Sequence, residues 1–187
     1  MAGDFSSVTI TDLQSISQES QQVFGHLNLM QLNWKPSADE WSIAQCFDHL
    51  ITTNEHYFPI FDSISKSEKH TTFWERLPIL PSLLGNLLVK SLQPDSSKKF
   101  KAPKIFQPAS SNLDADIIQR FVAHQEQLAA KMQSVASADL QKTIITSPVA
   151  KFVVYSLYDT YRLLVTHEKR HFEQARRVLA AKQFPQT

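Results

Sequence analysis

Two histidines four residues apart stand in "VTHEKRHFEQARRVL", His167 and His171, with Glu168 beside the first. The letters H-E-x-x-H are the helical zinc signature of metalloproteases, in which the two imidazoles hold the ion and the glutamate is the general base. Residues four apart share one face of a helix, so the two rings can chelate a single ion. The protease reading fails on the surroundings. Such enzymes draw a third ligand from downstream, yet only sixteen residues follow His171, with Glu173 the sole carboxylate and no further histidine. The extended signature needs glycine where Gln174 stands and histidine where Arg177 stands. Lys169 and Arg170 inside the motif suit an exposed face better than the floor of a cleft.

A third ligand must come from elsewhere in the chain. Cys46 is the one cysteine, which excludes an internal disulfide and a thiolate cluster and leaves imidazole and carboxylate as ligands. Cys46 itself reads as a small core residue, because no cationic neighbour is evident to lower its pKa. The net charge of +1, with no basic block beyond "KKFKAPK", lacks the electrostatic footprint of a nucleic-acid binder; that run reads as a solvated loop. The opening "MAGDFSSVTITDLQ" has no charged and apolar leader pattern, and no stretch has the length of a membrane span. The expectation is a cytoplasmic protein that engages neither nucleic acid nor membrane.

The elements that must position the histidines are helices. Three glycines in 187 residues are too few for a sheet protein with many tight turns, and 42% hydrophobic residues, twelve of them Phe, suffice for a core without metal or disulfide. One domain over 1–187 is expected. Ile10, Leu13, Ile16, Val23, Phe24, Leu27 and Met30 recur at three- and four-residue steps and predict a first helix, with Thr11 and Gln14 at capping-box spacing. The second helix is marked by a Ser42/Gln45 capping box, with Trp41 placed to staple onto Cys46 and Pro59 ending the run. Prolines then punctuate 73–112, where only "LLGNLLVKSL" reads as a short helix; this segment is expected to cover the bundle. Periodicity resumes at Leu113, Ile117, Phe121, Leu128 and Met132 for the third long helix. The fourth runs from about Ser156, capped with Asp159, to about Lys182, with Pro148 offering an earlier start. The predicted fold is all-α, an antiparallel-type four-helix bundle with an irregular segment and short helix between helices two and three.

On the fourth helix, Thr160, Leu164, His167, His171, Gln174 and Val178 form one stripe beside the apolar face of Leu157, Tyr161, Ala175 and Leu179. Both imidazoles therefore face the bundle. On the second helix His49 lies on the border of the apolar face with Cys46, Thr53 and His56, so it too can face inward. His56 reads as a half-buried helix-end histidine, and Trp34, Trp41 and Trp74 as plugs of the bundle ends.

Two segments, "WKPSADEWSIAQCFDHL" with its W-S-I-A-Q helix start and "THEKRHFEQARRVL" with H-x-x-x-H-x-x-Q, resemble the DinB-like or YfiT-like four-helix proteins, and the likeness of order and spacing spans nearly the whole chain. The resemblance implies a three-histidine site for a divalent ion, zinc or nickel, at the matching positions His49, His167 and His171. It also implies a homodimer and a metal-dependent transferase of low-molecular-weight thiols to an electrophilic substrate, or a related isomerase or hydrolase. Fold alone does not fix a reaction, and a non-catalytic metal-binding or structural dimeric bundle stands beside it. Asp48 and Gln174 are candidates to support the ligands, while Glu168, one residue off the stripe, is not assigned the general-base role.

Overall fold

The computed structural model describes residues 2–93 and 102–186, with side chains from Phe5 onward. Of the basic run 98–104, read as a solvated loop, 98–101 lie outside the described residues. In chain order the elements are α1 (Ala2–Phe24), α2 (Leu29–Asn33), α3 (Ile43–Glu55), α4 (Phe58–Ser65), a 3-10 turn (Trp74–Arg76), α5 (Leu80–Ser91), a second 3-10 turn (Lys104–Phe106), α6 (Ile117–Ser134), strands β1 (Ile144–Thr146) and β2 (Val154–Ser156), and α7 (Leu157–Leu179).

Two helix starts form as their sequences dictate. Ser42 Oγ accepts the Gln45 N–H at 3.1 Å while the Gln45 side chain accepts the Ser42 N–H at 3.2 Å, so α3 opens on a reciprocal box. Ser156 Oγ likewise accepts the Asp159 N–H and fixes the start of α7. Thr11 is different. It lies inside α1 with its hydroxyl on the Ser7 carbonyl, so its spacing to Gln14 is not a cap. The first helix, read as continuous to Met30, stops at Phe24, and the chain restarts at Asn28, whose side chain and that of Gln31 form a second reciprocal box. Pro59 opens α4 from its first turn, where its missing N–H costs nothing. Pro148 falls between two short strands, paired Ile144↔Ser156 to Thr146↔Val154, which three-residue runs could not announce by alternation.

The long helices pack in a ring: α1 on α6, α6 on α3, α3 on α7, α7 on α1. Their buried apolar residues form two clusters, one around Phe24, Phe47, Leu50, Phe121 and Phe172, the other around Leu13, Tyr57, Leu128, Tyr161 and Leu164. Residue numbers rise from the first cluster to the second along α3 and α6 and fall along α1 and α7. Hence α1 and α7 run against α3 and α6. The antiparallel expectation holds for α1 with α6 and α3 with α7, whereas α3 with α6 and α1 with α7 are parallel. Two parallel neighbours need a long crossover to return the chain, and 56–116 is that crossover. It lays α4 on α6, α5 on α7 and β2, and its second 3-10 turn on α3.

Each fully buried Leu or Phe contributes about 1.5–3 kcal/mol, and the two clusters pack the four long helices together. Between them, at Asn54 of α3, Gln125 of α6 and Glu168 of α7, the core turns polar. No helix among the described residues is long and apolar enough to cross a membrane.

The crossover docks closely at one point. Gly85 of α5 lies against the Asp159 carboxyl, which also accepts from Ser156 Oγ at 2.9 Å and Arg162 at 3.0 Å; an added Cβ would fall inside contact distance of Asp159 Oδ2. On an open helix surface Gly→Ala stabilises by about 1 kcal/mol. Here overpacking reverses the sign, and Gly85→Ala is expected to lower stability in urea unfolding by about 1–3 kcal/mol. A neutral or stabilised variant would show that α5 does not pack this tightly.

Candidate metal centre

α3 presents His49 and consecutive turns of α7 present His167 and His171 to one point. His49 Nε2 is 3.0 Å from His167 Nε2, and the three ring centroids are 4.6–4.9 Å apart, each pair edge to face. One ring nitrogen from each lies within 4.8 Å of the others, and all three residues are buried, at 3%, 6% and 8% exposure. Among the described residues no other group of three His, Cys, Asp or Glu comes together in this way.

The donors fit a cation. The Phe106 carbonyl can only accept, so His49 Nδ1 carries the proton in their hydrogen bond and Nε2 is left as a bare lone pair. That arrangement, backbone carbonyl to imidazole to ligand position, is the usual way a metal-binding ring is oriented. The Nδ1 atoms of His167 and His171 have no hydrogen-bond partner among the described residues. Two nitrogens on one tetrahedral zinc stand about 3.3 Å apart, which is close to the His49–His167 separation.

Burial sets the charge state. It lowers the His49 pKa, with the Phe106 hydrogen bond and the Asp48 carboxylate pulling the other way. His167 and His171 lie well below the ordinary range, from burial first and then from the neighbouring imidazoles and Arg170, with the nearby Gln174 side chain pulling slightly the other way at His171. All three rings are thus neutral near pH 7, the form that binds metal.

The end of the crossover is laced to α3 and to the end of α2. The Ala109 N–H donates to Asp48 Oδ2 at 2.8 Å, Gln45 Nε2 donates to the Ser110 carbonyl at 3.2 Å, and the Asn33 side chain bonds both Leu113 backbone groups at 2.8 Å. Asp48 therefore acts on His49 through this segment and through its field. Gln174 is half-buried and lies one turn beyond His171 on α7. The segment 73–112 does reach the site, through Phe106. Two surface hollows of about 330 and 240 Å³, around Glu75 and the start of α5, touch none of the three histidines.

Trp41 plays more than the part of a staple and plug. Its ring lies 4.8 Å from that of His49 and stacks on His171 at 5.6 Å and 26°, so it roofs the cluster. Its place just before the Ser42 cap, eight residues ahead of His49, is the signal that could have found it. Trp34 behaves as a plug, edge-on to Phe184. His56 is exposed, bonded to the Thr52 carbonyl and apart from the cluster. Lys169 is exposed as expected and pairs with Asp12, whereas Arg170 ties the end of α5 by bonding the Ser91 and Gln93 carbonyls.

Glu168 points away from the ligand stripe and is fully buried. Its Oε1 accepts Asn54 Nδ2 and Gln125 Nε2, each at 2.9 Å, and burial pushes its pKa up to about 7. Its spacing of four from both Leu164 and Phe172 places it on the apolar face, a signal readable in the sequence. Cys46 is fully buried, with its thiol pushed up to about 12, and is inert as expected.

The family model of the DinB superfamily matches residues 13–175. The chain is also similar to the uncharacterized protein YuaE of Bacillus subtilis (strain 168), 28% identical over 151 residues that cover 79% of this chain and 83% of that protein. No solved structure matches it.

The lowered histidines make a pH prediction. In the unfolded chain each titrates near 6.5, while in the folded metal-free protein the cluster stays neutral to lower pH, as does His124, whose pKa burial lowers to about 4. Below about 6.5 the unfolded state therefore binds more protons, and each such histidine removes about 1.4 kcal/mol of stability per pH unit. Glu168, protonated in the fold up to about 7, acts in the opposite sense between its unfolded value of 4.5 and 7. One carboxyl opposes four imidazoles. Stability of the chelated protein is expected to fall from pH 6.5 to 5, read by urea unfolding, and a flat or rising profile would contradict neutral buried rings.

Proposed function

The chain belongs to the DinB superfamily, and we propose that it holds one divalent ion at His49, His167 and His171 and uses it to transfer a low-molecular-weight thiol to an electrophilic substrate. The observation that carries this reading is the convergence of three neutral imidazoles from two helices with their ligand-capable nitrogens within 4.8 Å. Such an ion, held by the three histidines, would keep an open position and would lower the pKa of a thiol bound there toward neutral.

The chain's own residues prepare that position. Phe106 fixes the ring of His49 with Nε2 inward, and the Asp48–Ala109 and Gln45–Ser110 bonds hold Phe106 in place. The half-buried Trp41 shields the rings from water, which strengthens every charge interaction beneath it. Its indole also offers an apolar surface beside the ligands against which a substrate could lie.

Three imidazole ligands suit zinc, nickel, copper and iron alike, and zinc or nickel is proposed on the family resemblance alone. Protein purified without chelator is expected to carry one equivalent of metal by elemental analysis. Reloading is expected to raise stability by about 2.7 kcal/mol at a hundredfold excess over Kd. His49→Ala and His167→Ala should each lose the stoichiometric metal while remaining folded, and the thiol-transfer activity found in a panel of thiols with an electrophilic acceptor should vanish with it. Metal-free protein, or equal activity in the histidine variants, would overturn the proposal; bound metal with no activity across the panel would leave a metal-binding bundle.

A further inference from the structure

The polar interruption of the core has no part in the site described above, and it is costly. Glu168 and Asn54 are fully buried and Gln125 is 3% exposed, yet Glu168 Oε2, Asn54 Oδ1 and Gln125 Oε1 have no hydrogen-bond partner among the described residues. Each orphaned buried group costs about 1–3 kcal/mol, and an apolar trio of similar volume would fill the gap between the two clusters without that loss. Stability is therefore not what the layer provides.

Its placement indicates what it does provide. Asn54 lies on the helix that supplies His49, and Glu168 is the neighbour in sequence of His167. The same two helices are thus joined twice, by Asn54–Glu168 at 2.9 Å and by His49 against His167 at 3.0 Å. At about 100° per residue the two contacts leave α3 some 140° apart and α7 some 100° apart around their axes. Together they fix both rotation and sliding of α7. Apolar faces tolerate a small turn or slip of one helix on another, whereas a hydrogen bond at 2.9 Å does not, and Gln125 adds a third helix to the same oxygen.

We propose that Glu168, clamped by Asn54 and Gln125, is a positioning residue that holds α7 in the one register where His167 and His171 meet His49. The inference deepens the metal-binding reading and rests on it for the cobalt arm of the test alone.

The test uses the full chain and four variants: Glu168→Gln, Glu168→Leu, Asn54→Ala, and the triple Asn54→Leu/Gln125→Leu/Glu168→Leu. Three quantities are read: stability in urea, affinity and d–d spectrum with Co²⁺, and the nuclear Overhauser contact between the ring protons of His49 and His167 in chelated protein. The triple variant is expected to match or exceed wild-type stability while losing about 10–100-fold in Co²⁺ affinity, with an altered spectrum and a weakened ring contact. Glu168→Leu should lose both stability and affinity. Glu168→Gln, whose carboxamide oxygen still accepts both amides, should restore wild-type spectrum and affinity. Should the triple variant not fold, Asn54→Ala, which cuts only the tether to α3, is expected to show the same spectral change in a smaller degree. Wild-type affinity, spectrum and ring contact in the triple variant or in Asn54→Ala would overturn the proposal, as would a Glu168→Gln variant as impaired as Glu168→Leu. If wild-type protein itself takes no Co²⁺, the metal reading fails, and the ring contact decides the positioning role alone.

Discussion

Three imidazoles inside one helical bundle are a demanding arrangement, because removal from water disfavours their charged forms and leaves each nitrogen in need of a partner. Here the demand is met on one side only. His49 gives its Nδ1 proton to the Phe106 carbonyl and turns Nε2 inward, while the rings of His167 and His171 close on the same point with their outer nitrogens unbonded among the described residues. A divalent cation could be held by one ring nitrogen from each of the three, which lie within 4.8 Å of one another. The neutral state of the rings, the role of the Phe106 carbonyl and the roof formed by Trp41 all follow from that single requirement.

The topology explains how a backbone carbonyl comes to be in the right place. Because α3 and α6 run parallel, the chain must travel back along the bundle between them, and its last stretch passes over α3 at the level of His49. Asp48, Gln45 and Asn33 hold it there. A connection forced by geometry thereby becomes part of the site. The same connection ties α5 to the start of α7 at Gly85 and Asp159, so the helix bearing two of the histidines is held near one end by the crossover and near its middle by the polar layer.

The sequence made legible whatever depends on local spacing. The His167–His171 pair, the Ser42/Gln45 box and the inward border position of His49 are properties of one helix at a time, and likeness to a known family joined them into a single site. Trp41, Phe106 and Glu168 were harder to read, for different reasons. Phe106 acts through a backbone atom, which carries no signature in its residue type. Trp41 was visible at its helix start, but its target lies on another helix. Glu168 sits at core spacing between Leu164 and Phe172, and the habit of placing carboxylates outside masked it. The break at Gly25 and the strands 144–146 and 154–156 escaped because tertiary packing, more than local pattern, decides elements so short.

The central claim is that one ion sits among these three rings, and the most direct measurement is the zinc K-edge absorption spectrum of the zinc-loaded protein. The account predicts three imidazole nitrogens at about 2.0–2.1 Å in the wild-type protein, and loss of that signal in His49→Ala, which should no longer hold stoichiometric zinc. A first shell dominated by carboxylate oxygen or sulfur, or a spectrum that the loss of His49 leaves unchanged, would contradict it.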